Sequence, residues 1–357
     1  MRYGKLLKLW LKKAFCQILQ LFYWSISVKA KKTFIVIISS PQSETFGNLS
    51  RLVEEFDRQG VEYKIIRDGL TVQNIYYTAR AKIICIDQAT RLTSTLRIEK
   101  SSTHVIQLWH AGGAFKKVGF DACNGTKSDF ERIKRIHGNV TFFIVSDKKL
   151  ITLYARAFNI PISHVLPYGV VRTDRYFERR CSANSHITKY VLWAPTFRSN
   201  GRERKSFISY DDICYLNKCL FKIGYKLTIR LHPSIKNDFR DQNIEDWSDK
   251  PLPWVLENSS ILITDYSSII FDYSLFDGRV FWYVPDIDDY KIKQRGLYFD
   301  PIVKFPEYTA KNIQELFIKI TGETRCNCEE IRSEFMSSCD GLASFRILKL
   351  IKDLVGE

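Results

Sequence analysis

The chain has 357 residues, 45% hydrophobic, 14% aromatic and 26% charged, with 17 glycines and 10 prolines. At roughly 100–200 residues per domain this predicts two domains or one large one, and it excludes collagen-like, disordered and disulfide-scaffold classes. No uncharged stretch reaches the ~18 apolar residues that span a bilayer, while the formal net charge of +15 points to a polyanion or an anionic surface as partner.

The charge is concentrated. Residues 1–32 carry Arg2, Lys5, Lys8, Lys12, Lys13, Lys29, Lys31 and Lys32 with no acid, giving +8 and leaving +7 for the rest. On a helix over 5–24, Leu7, Trp10, Leu11, Ala14, Phe15, Ile18, Leu21 and Phe22 form one stripe, and Lys5, Lys8, Lys12, Cys16 and Gln20 lie opposite. A basic amphipathic helix with Trp and Phe on its apolar side predicts association with an anionic membrane surface; the alternative is a helix that packs on its own domain. A signal peptide fits poorly, because the apolar part is interrupted and ends in charge rather than a small-residue cleavage site.

From residue 33 apolar runs alternate with helical stretches. Strands are expected at 34–38, 63–66, 82–86, 104–109, 141–145 and 165–167, with helices at 49–59 and 148–158. A second series follows at 190–194, 225–231, 260–264 and 279–284, with helices at 211–222 and 268–276. Such continuous apolar strands indicate parallel sheets covered on both faces. The polar stretch 172–188 reads as a junction, so the predicted organisation is a membrane-surface helix (1–32), an N-terminal Rossmann-like domain (33–175) and a C-terminal one (188–357) that includes helices near 311–321, 329–337 and 342–354.

Ligands in open parallel sheets bind beyond the carboxyl ends of strands, and polar residues collect there. His110 follows the 104–109 run and precedes Gly112, Gly113, Lys116 and Lys117. Glycines would admit a phosphorylated substrate and lysines would balance its charge, while an imidazole can accept a proton from an attacking hydroxyl. Arg172 and Asp174 follow 165–167, Thr196 and Arg198 follow 190–194, and Arg230 and His232 end 225–231. Asp265, Ser267 and Ser268 follow 260–264, with Asp272 beyond; a Ser-Ser helix start offers N–H groups and hydroxyls to a phosphate, although plain capping uses the same residues. His104, His137, His164 and His186 lack such surroundings and read as structural.

The nine cysteines form a scattered, odd-numbered set in which Cys326-Asn327-Cys328 is the one close pair, without the spacing of a zinc site. They read as reduced thiols of a cytoplasmic protein. No phosphate-loop or dinucleotide glycine fingerprint occurs, and Asp286-Ile287-Asp288-Asp289 reads as a polar turn. Neither a metal nor a cofactor is expected, and aromatic residues do not interleave with Lys and Arg as a nucleic-acid surface requires.

The string Gln107-Leu108-Trp109-His110-Ala111-Gly112-Gly113-Ala114-Phe115-Lys116-Lys117-Val118-Gly119 resembles the CDP-glycerol glycerophosphotransferase family of teichoic acid and capsule synthesis. So do Ala194-Pro195-Thr196-Phe197-Arg198, Arg230-Leu231-His232-Pro233, Ile263-Thr264-Asp265-Tyr266-Ser267-Ser268 and Phe271-Asp272-Tyr273. Arg295-Gly296-Leu297-Tyr298-Phe299-Asp300 and Asp340-Gly341 with Ala343-Ser344-Phe345-Arg346 extend the resemblance to the C-terminus. It implies a GT-B fold of two facing Rossmann-like domains. It also implies transfer of glycerol phosphate or ribitol phosphate from CDP-glycerol or CDP-ribitol to a hydroxyl of a lipid-linked acceptor, with release of CMP, at the cytoplasmic face of the bacterial membrane. His110 would be the base, and His232 with Arg230 would stabilise the pyrophosphate and leaving CMP. Ser267 and Ser268 would hold donor phosphates, Asp265 and Asp272 would fix that turn, and Thr196, Arg198, Arg172 and Asp174 would line the cleft. Ala111-Gly112-Gly113 stands where many members have Gly-Thr-Pro or a related triplet, and the lack of a long N-terminal extension implies a compact enzyme. The competing expectations are a GT-B glycosyltransferase using a nucleotide-sugar, and a non-catalytic membrane module that holds a polyanion.

Overall fold

The computed structural model describes residues 2–40, 47–180, 189–200, 203–206, 209–231, 244–294 and 296–356. They form two compact units: Met1–His110 with Gly119–Asp174 and Ser338–Glu357, and Ala111–Val118 with Arg175–Ser337.

Unit 1 is built on β1 (Phe34–Ser39), β2 (Lys64–Arg67), β3 (Ala81–Ile86), β4 (His104–Gln107), β5 (Phe142–Ile144) and β6 (Val165–Leu166). They lie in the order β2-β1-β3-β4-β5-β6, all parallel. Alternate side chains leave opposite faces. Ile35, Ile37, Ile83 and Cys85 join Leu52 and Phe56 in one core, and Val36, Ile38, Ile84 and Ile86 join Ile75 and Ala79 in the other. Apolar cover on both faces accounts for the unbroken apolar runs in the sequence.

The first core also contains Ala343, Ile347, Leu348 and Ile351 of the C-terminal helix Ala343–Val355. This corrects the expectation that 188–357 forms one domain. The helix carries an apolar stripe that unit 1 buries, at about 1.5–3 kcal/mol for each large side chain removed from water.

Unit 2 contains β7 (Tyr190–Ala194), the antiparallel pair β8 (Phe197–Asn200) and β9 (Glu203–Ser206), then β10 (Lys226–Ile229), β11 (Glu245–Asp246), β12 (Ile261–Thr264), β13 (Arg279–Tyr283) and β14 (Thr309–Ala310). Its parallel sheet runs β11-β10-β7-β12-β13-β14. Leaving out the β8–β9 pair, the chain enters this sheet at its centre on β7 and reverses between β7 and β12, the strand order of a Rossmann fold. The stretch read as a polar junction holds the helix Asp174–Arg180, and the turn expected at Asp286 opens the helix Ile287–Lys293.

The N-terminal helix spans Arg2–Ser27. It docks on unit 1 by one edge: Tyr23 is buried, Leu19 and Ile26 pack against the second core, and Gln20 accepts the Arg97 N–H at 2.7 Å. Cys16 and Gln20 therefore face protein or its margin rather than open solvent. Leu7, Trp10, Leu11, Phe15, Ile18, Leu21 and Phe22 stay exposed, so the apolar stripe is not the face that packs. Among the described residues no helix is long and apolar enough to cross a membrane.

Candidate functional site

Each unit gathers polar groups at the carboxyl ends of its own strands. In unit 1, β4 ends at Gln107 and the chain turns through Trp109, which has φ 57°. That left-handed conformation costs a bulky L-residue roughly 1–3 kcal/mol and persists only when surrounding groups hold it. Gln107 Oε1 accepts the Trp109 N–H at 3.0 Å. Asn48 Nδ2 donates to the Trp109 carbonyl, and Asn48 Oδ1 accepts the Arg172 N–H at 2.8 Å. Arg172 Nη1 then donates to the carbonyl of His110 at 3.0 Å. The Trp109 ring packs on Phe143 and Phe158 and lies 4.3 Å from the His110 imidazole, centroid to centroid. A rigid, over-determined turn thus presents an exposed imidazole directly beyond a parallel strand. Asn48 carries no motif signal in the sequence; its position at the first turn of the helix Asn48–Arg58, next to Gly47, is the single cue.

Asp174 does not belong to this group. Its buried carboxylate accepts the N–H groups of Ala343 at 3.0 Å and Ser344 at 2.8 Å, and the Ser344 hydroxyl at 2.6 Å. Burial raises its pKa, opposed by those hydrogen bonds and by the charge of Arg51. It caps the C-terminal helix, which corrects its assignment to substrate. The structural histidines behave as expected where described: burial lowers the pKa of His104 and His137, and His164 Nδ1 lies 3.1 Å from the Thr141 carbonyl. His186 lies outside the described residues.

In unit 2 the polar groups sit at the strand reversal. Asp265, at the end of β12, accepts the Thr196 N–H and the Thr196 hydroxyl, both at 2.9 Å, and the Tyr266 N–H at 2.6 Å. Thr196 follows β7, so one buried carboxylate ties together the carboxyl ends of the two strands where a Rossmann sheet binds its ligand. Tyr266 stacks on Tyr290 at 3.7 Å and its hydroxyl donates to Asp286 at 3.1 Å. Next in the chain, Ser267 Oγ accepts the Ile269 N–H at 3.3 Å, whereas Ser268 makes no side-chain cap to the helix Ile269–Tyr273. That helix has five residues against the nine expected, so its dipole adds little and the serine hydroxyls and N–H groups are what a phosphate would meet. Asp272 accepts the Tyr176 hydroxyl at 3.2 Å.

The segment Ala111–Val118 belongs to this unit. Lys116 pairs with Leu297 in an antiparallel bridge, the Lys117 N–H reaches the Gly296 carbonyl at 3.1 Å, and Phe115 stacks on Phe299 at 4.6 Å. The Lys116 ammonium lies 5.9 Å from the Tyr290 ring centre, a cation–π distance. Gly112 and Gly113 are buried here, and side chains of the same unit meet the space a Cβ would take. A Cβ on Gly112 would meet Met336 Sδ at 2.5 Å, and one on Gly113, with φ +59°, would meet Phe271 Cε1 at 2.3 Å.

Arg230 Nη1 donates to the carbonyls of Trp247 at 2.8 Å and Lys250 at 2.6 Å, and burial lowers its pKa against the pull of Asp246 and Asp249. It holds the turn after β11. His232 lies outside the described residues, and Arg198 is described as a residue of β8.

Residues 30–353 match the family model of CDP-glycerol:poly(glycerophosphate) glycerophosphotransferase. The chain belongs to this family. It is 31% identical to the teichoic acid poly(ribitol-phosphate) polymerase of Bacillus spizizenii across 91% of its own length, and it spans 57% of that longer protein. It is 29% identical to the teichoic acid ribitol-phosphate primase of the same organism, over 79% of this chain and 77% of the primase. Against the teichoic acid glycerol-phosphate primase of Bacillus subtilis identity is 27%, over 80% and 77%. The structure of the wall teichoic acid polymerase TagF superposes with a TM-score of 0.75 over 98% of this chain and 96% of that one, at 20% identity. A UDP-GlcNAc 2-epimerase from Neisseria meningitidis gives 0.52 at 10% identity, covering 90% and 100%. Both likenesses concern the fold, which is GT-B: two Rossmann-like α/β units.

Proposed function

We propose that this glycerophosphotransferase-family chain is an enzyme that moves glycerol phosphate or ribitol phosphate from CDP-glycerol or CDP-ribitol to a hydroxyl of a lipid-linked glycan or teichoic acid acceptor. The acceptor oxygen bonds to the alditol phosphorus, the bridging P–O bond breaks, CMP leaves, and the acceptor proton passes to His110. The clamped turn at the end of β4 is the observation that supports this reading, because it fixes the backbone of an exposed imidazole just beyond a parallel strand, where ligands of such sheets bind. Relatives whose names specify ribitol-phosphate and glycerol-phosphate transfer support the substrate class.

Unit 2 supplies the donor side. Asp265, bonded to Thr196, fixes the turn on which Ser267 and Ser268 offer hydroxyls and N–H groups to the donor phosphates, and Arg198, Lys116 and Lys117 supply positive charge. His232 stabilises the charge on leaving CMP. Phosphoryl transfer of this kind needs chiefly alignment and charge stabilisation, which fixed cations and N–H dipoles provide. The exposed stripe of the N-terminal helix and its lysines hold the enzyme at the cytoplasmic membrane surface as a peripheral protein. Incubation with CDP-glycerol or CDP-ribitol and a lipid-linked acceptor, followed by nucleotide and mass analysis, tests the reading. CMP release with one added alditol phosphate or more is expected; UDP release from a nucleotide-sugar in its place overturns it.

A further inference from the structure

Between the N-terminal helix and the helices Arg91–Thr95 and Lys127–His137, unit 1 holds a cavity of about 1000 Å3. That volume is at the upper end of what small-molecule sites use, about 300–1,000 Å3. None of the residues assigned above to donor or acceptor chemistry lines it. Three cations do: Lys13, Arg91 and Arg135. Among the described residues none of these three is in an ion pair. The carboxylate on the same wall, Asp68, accepts the N–H of Arg91 at 2.9 Å and of Leu92 at 3.3 Å. Leu70 and Ile136 supply an apolar lining beside the cations. A smaller hollow of about 470 Å3 continues past Arg135 to Arg97 and Lys134.

The helix geometry gives the cavity a direction. At 100° per residue, Lys13, Gln17 and Trp24 lie between the docked edge at Leu19 and Tyr23 and the exposed stripe at Trp10, Ile18 and Leu21. A ligand seated against Lys13 therefore has the apolar stripe on its open side. A fully hydrated anion gains nothing from Leu70 and Ile136, and an uncharged lipid gains nothing from the three cations. A phosphate head with an attached hydrocarbon chain satisfies both.

We propose that this cavity binds the phosphate-bearing head of a membrane lipid, whose hydrocarbon leaves along the exposed stripe of the N-terminal helix. The proposal rests on the membrane-surface reading above and adds a defined phosphate site to it.

Co-sedimentation of the full chain with phosphatidylcholine vesicles, doped to equal surface charge with phosphatidic acid or with oleate, tests this. Wild type should prefer phosphatidic acid. Arg91→Gln/Arg135→Gln should weaken that binding at least about tenfold more than Lys29→Gln/Lys31→Gln, which removes the same charge outside the cavity. Ala89→Trp fills the cavity without changing charge and should cause a comparable loss. Variants indistinguishable from the Lys29/Lys31 control, or equal binding to the two vesicle types, overturn the cavity assignment and leave the membrane reading intact. Competition by inorganic phosphate as potent as by short-chain phosphatidic acid makes this a soluble-anion site and overturns the lipid assignment. Failure of wild type to bind either anionic vesicle overturns both readings.

Discussion

Arg172 donates through Nη1 to the carbonyl of His110 at 3.0 Å, while its own N–H is held by Asn48 at 2.8 Å. The guanidinium therefore acts on the backbone of the proposed base. Together with the Asn48 bond to the Trp109 carbonyl, it closes a ring of hydrogen bonds around a residue whose conformation is unfavourable by itself.

Asn48→Ala should consequently cost more than a surface substitution. It leaves a part-buried carbonyl and a part-buried N–H without their partner, at about 1–3 kcal/mol for each group left unsatisfied. Denaturant unfolding should show a loss of about 2 kcal/mol or more. Steady-state kinetics should show kcat falling with KM for the CDP-alditol unchanged, because Asn48 positions the base and touches no donor.

Gly113→Ala tests the packing of the Ala111–Val118 segment. The new Cβ would sit 2.3 Å from Phe271 at φ +59°, and overpacking together with left-handed strain should destabilise by about 2–4 kcal/mol. Phe271→Leu in the same chain should recover part of the loss in urea unfolding. A Gly113→Ala protein of unchanged stability but raised donor KM would instead mean that ligand approach requires the glycine.

His137 gives the fold an acid-sensitive term. Burial, with a smaller contribution from the Arg132 charge, lowers its pKa from 6.5 to about 4, and its ring lies edge-on to Phe158 at 4.7 Å. The unfolded chain binds the extra proton, so the stability His137 contributes is complete above pH 6.5 and is lost as pH falls toward about 4. The difference amounts to about 3 kcal/mol at ~1.4 kcal/mol per unit. His137→Gln should flatten the unfolding free energy between these pH values relative to wild type.

Cys326 is exposed, and a hydrogen bond from Cys328 lowers its pKa to about 6, while Cys328 is buried and held protonated. At neutral pH iodoacetamide should modify Cys326 before the other cysteines. Cys328→Ala should raise the Cys326 pKa and slow that alkylation several-fold, as read by peptide mass mapping.

Where apolar cover lies on both faces, the elements are legible in the sequence, and β1, β3, β7, β12 and β13 fall within a residue or two of the apolar runs. β11 and β14 have two residues each and carry no period. The helix Lys127–His137 buries Ile133 alone, so it shows no stripe; the Thr126 hydroxyl that accepts the Asp129 N–H is its one local sign. The site was legible as positions beyond strand ends, and His110, Thr196 and Asp265 are there. Asp174 reads from sequence as a cleft residue because its partners, Ala343 and Ser344, come from the far end of the chain. The packing of Gly112 and Gly113 against a ring and a thioether is not legible locally, because Phe271 and Met336 are equally distant in sequence. Local pattern reports which residues are polar or small, and only long-range packing decides whether a ligand or another side chain meets them.

The central claim is that His110 accepts the acceptor's proton, and His110→Ala tests it most directly. With CDP-glycerol or CDP-ribitol and a lipid-linked acceptor, the variant should lose about 10²–10⁴ in the rate of CMP formation while binding the donor as tightly as wild type in calorimetry. CMP formation at the wild-type rate in His110→Ala would contradict the account.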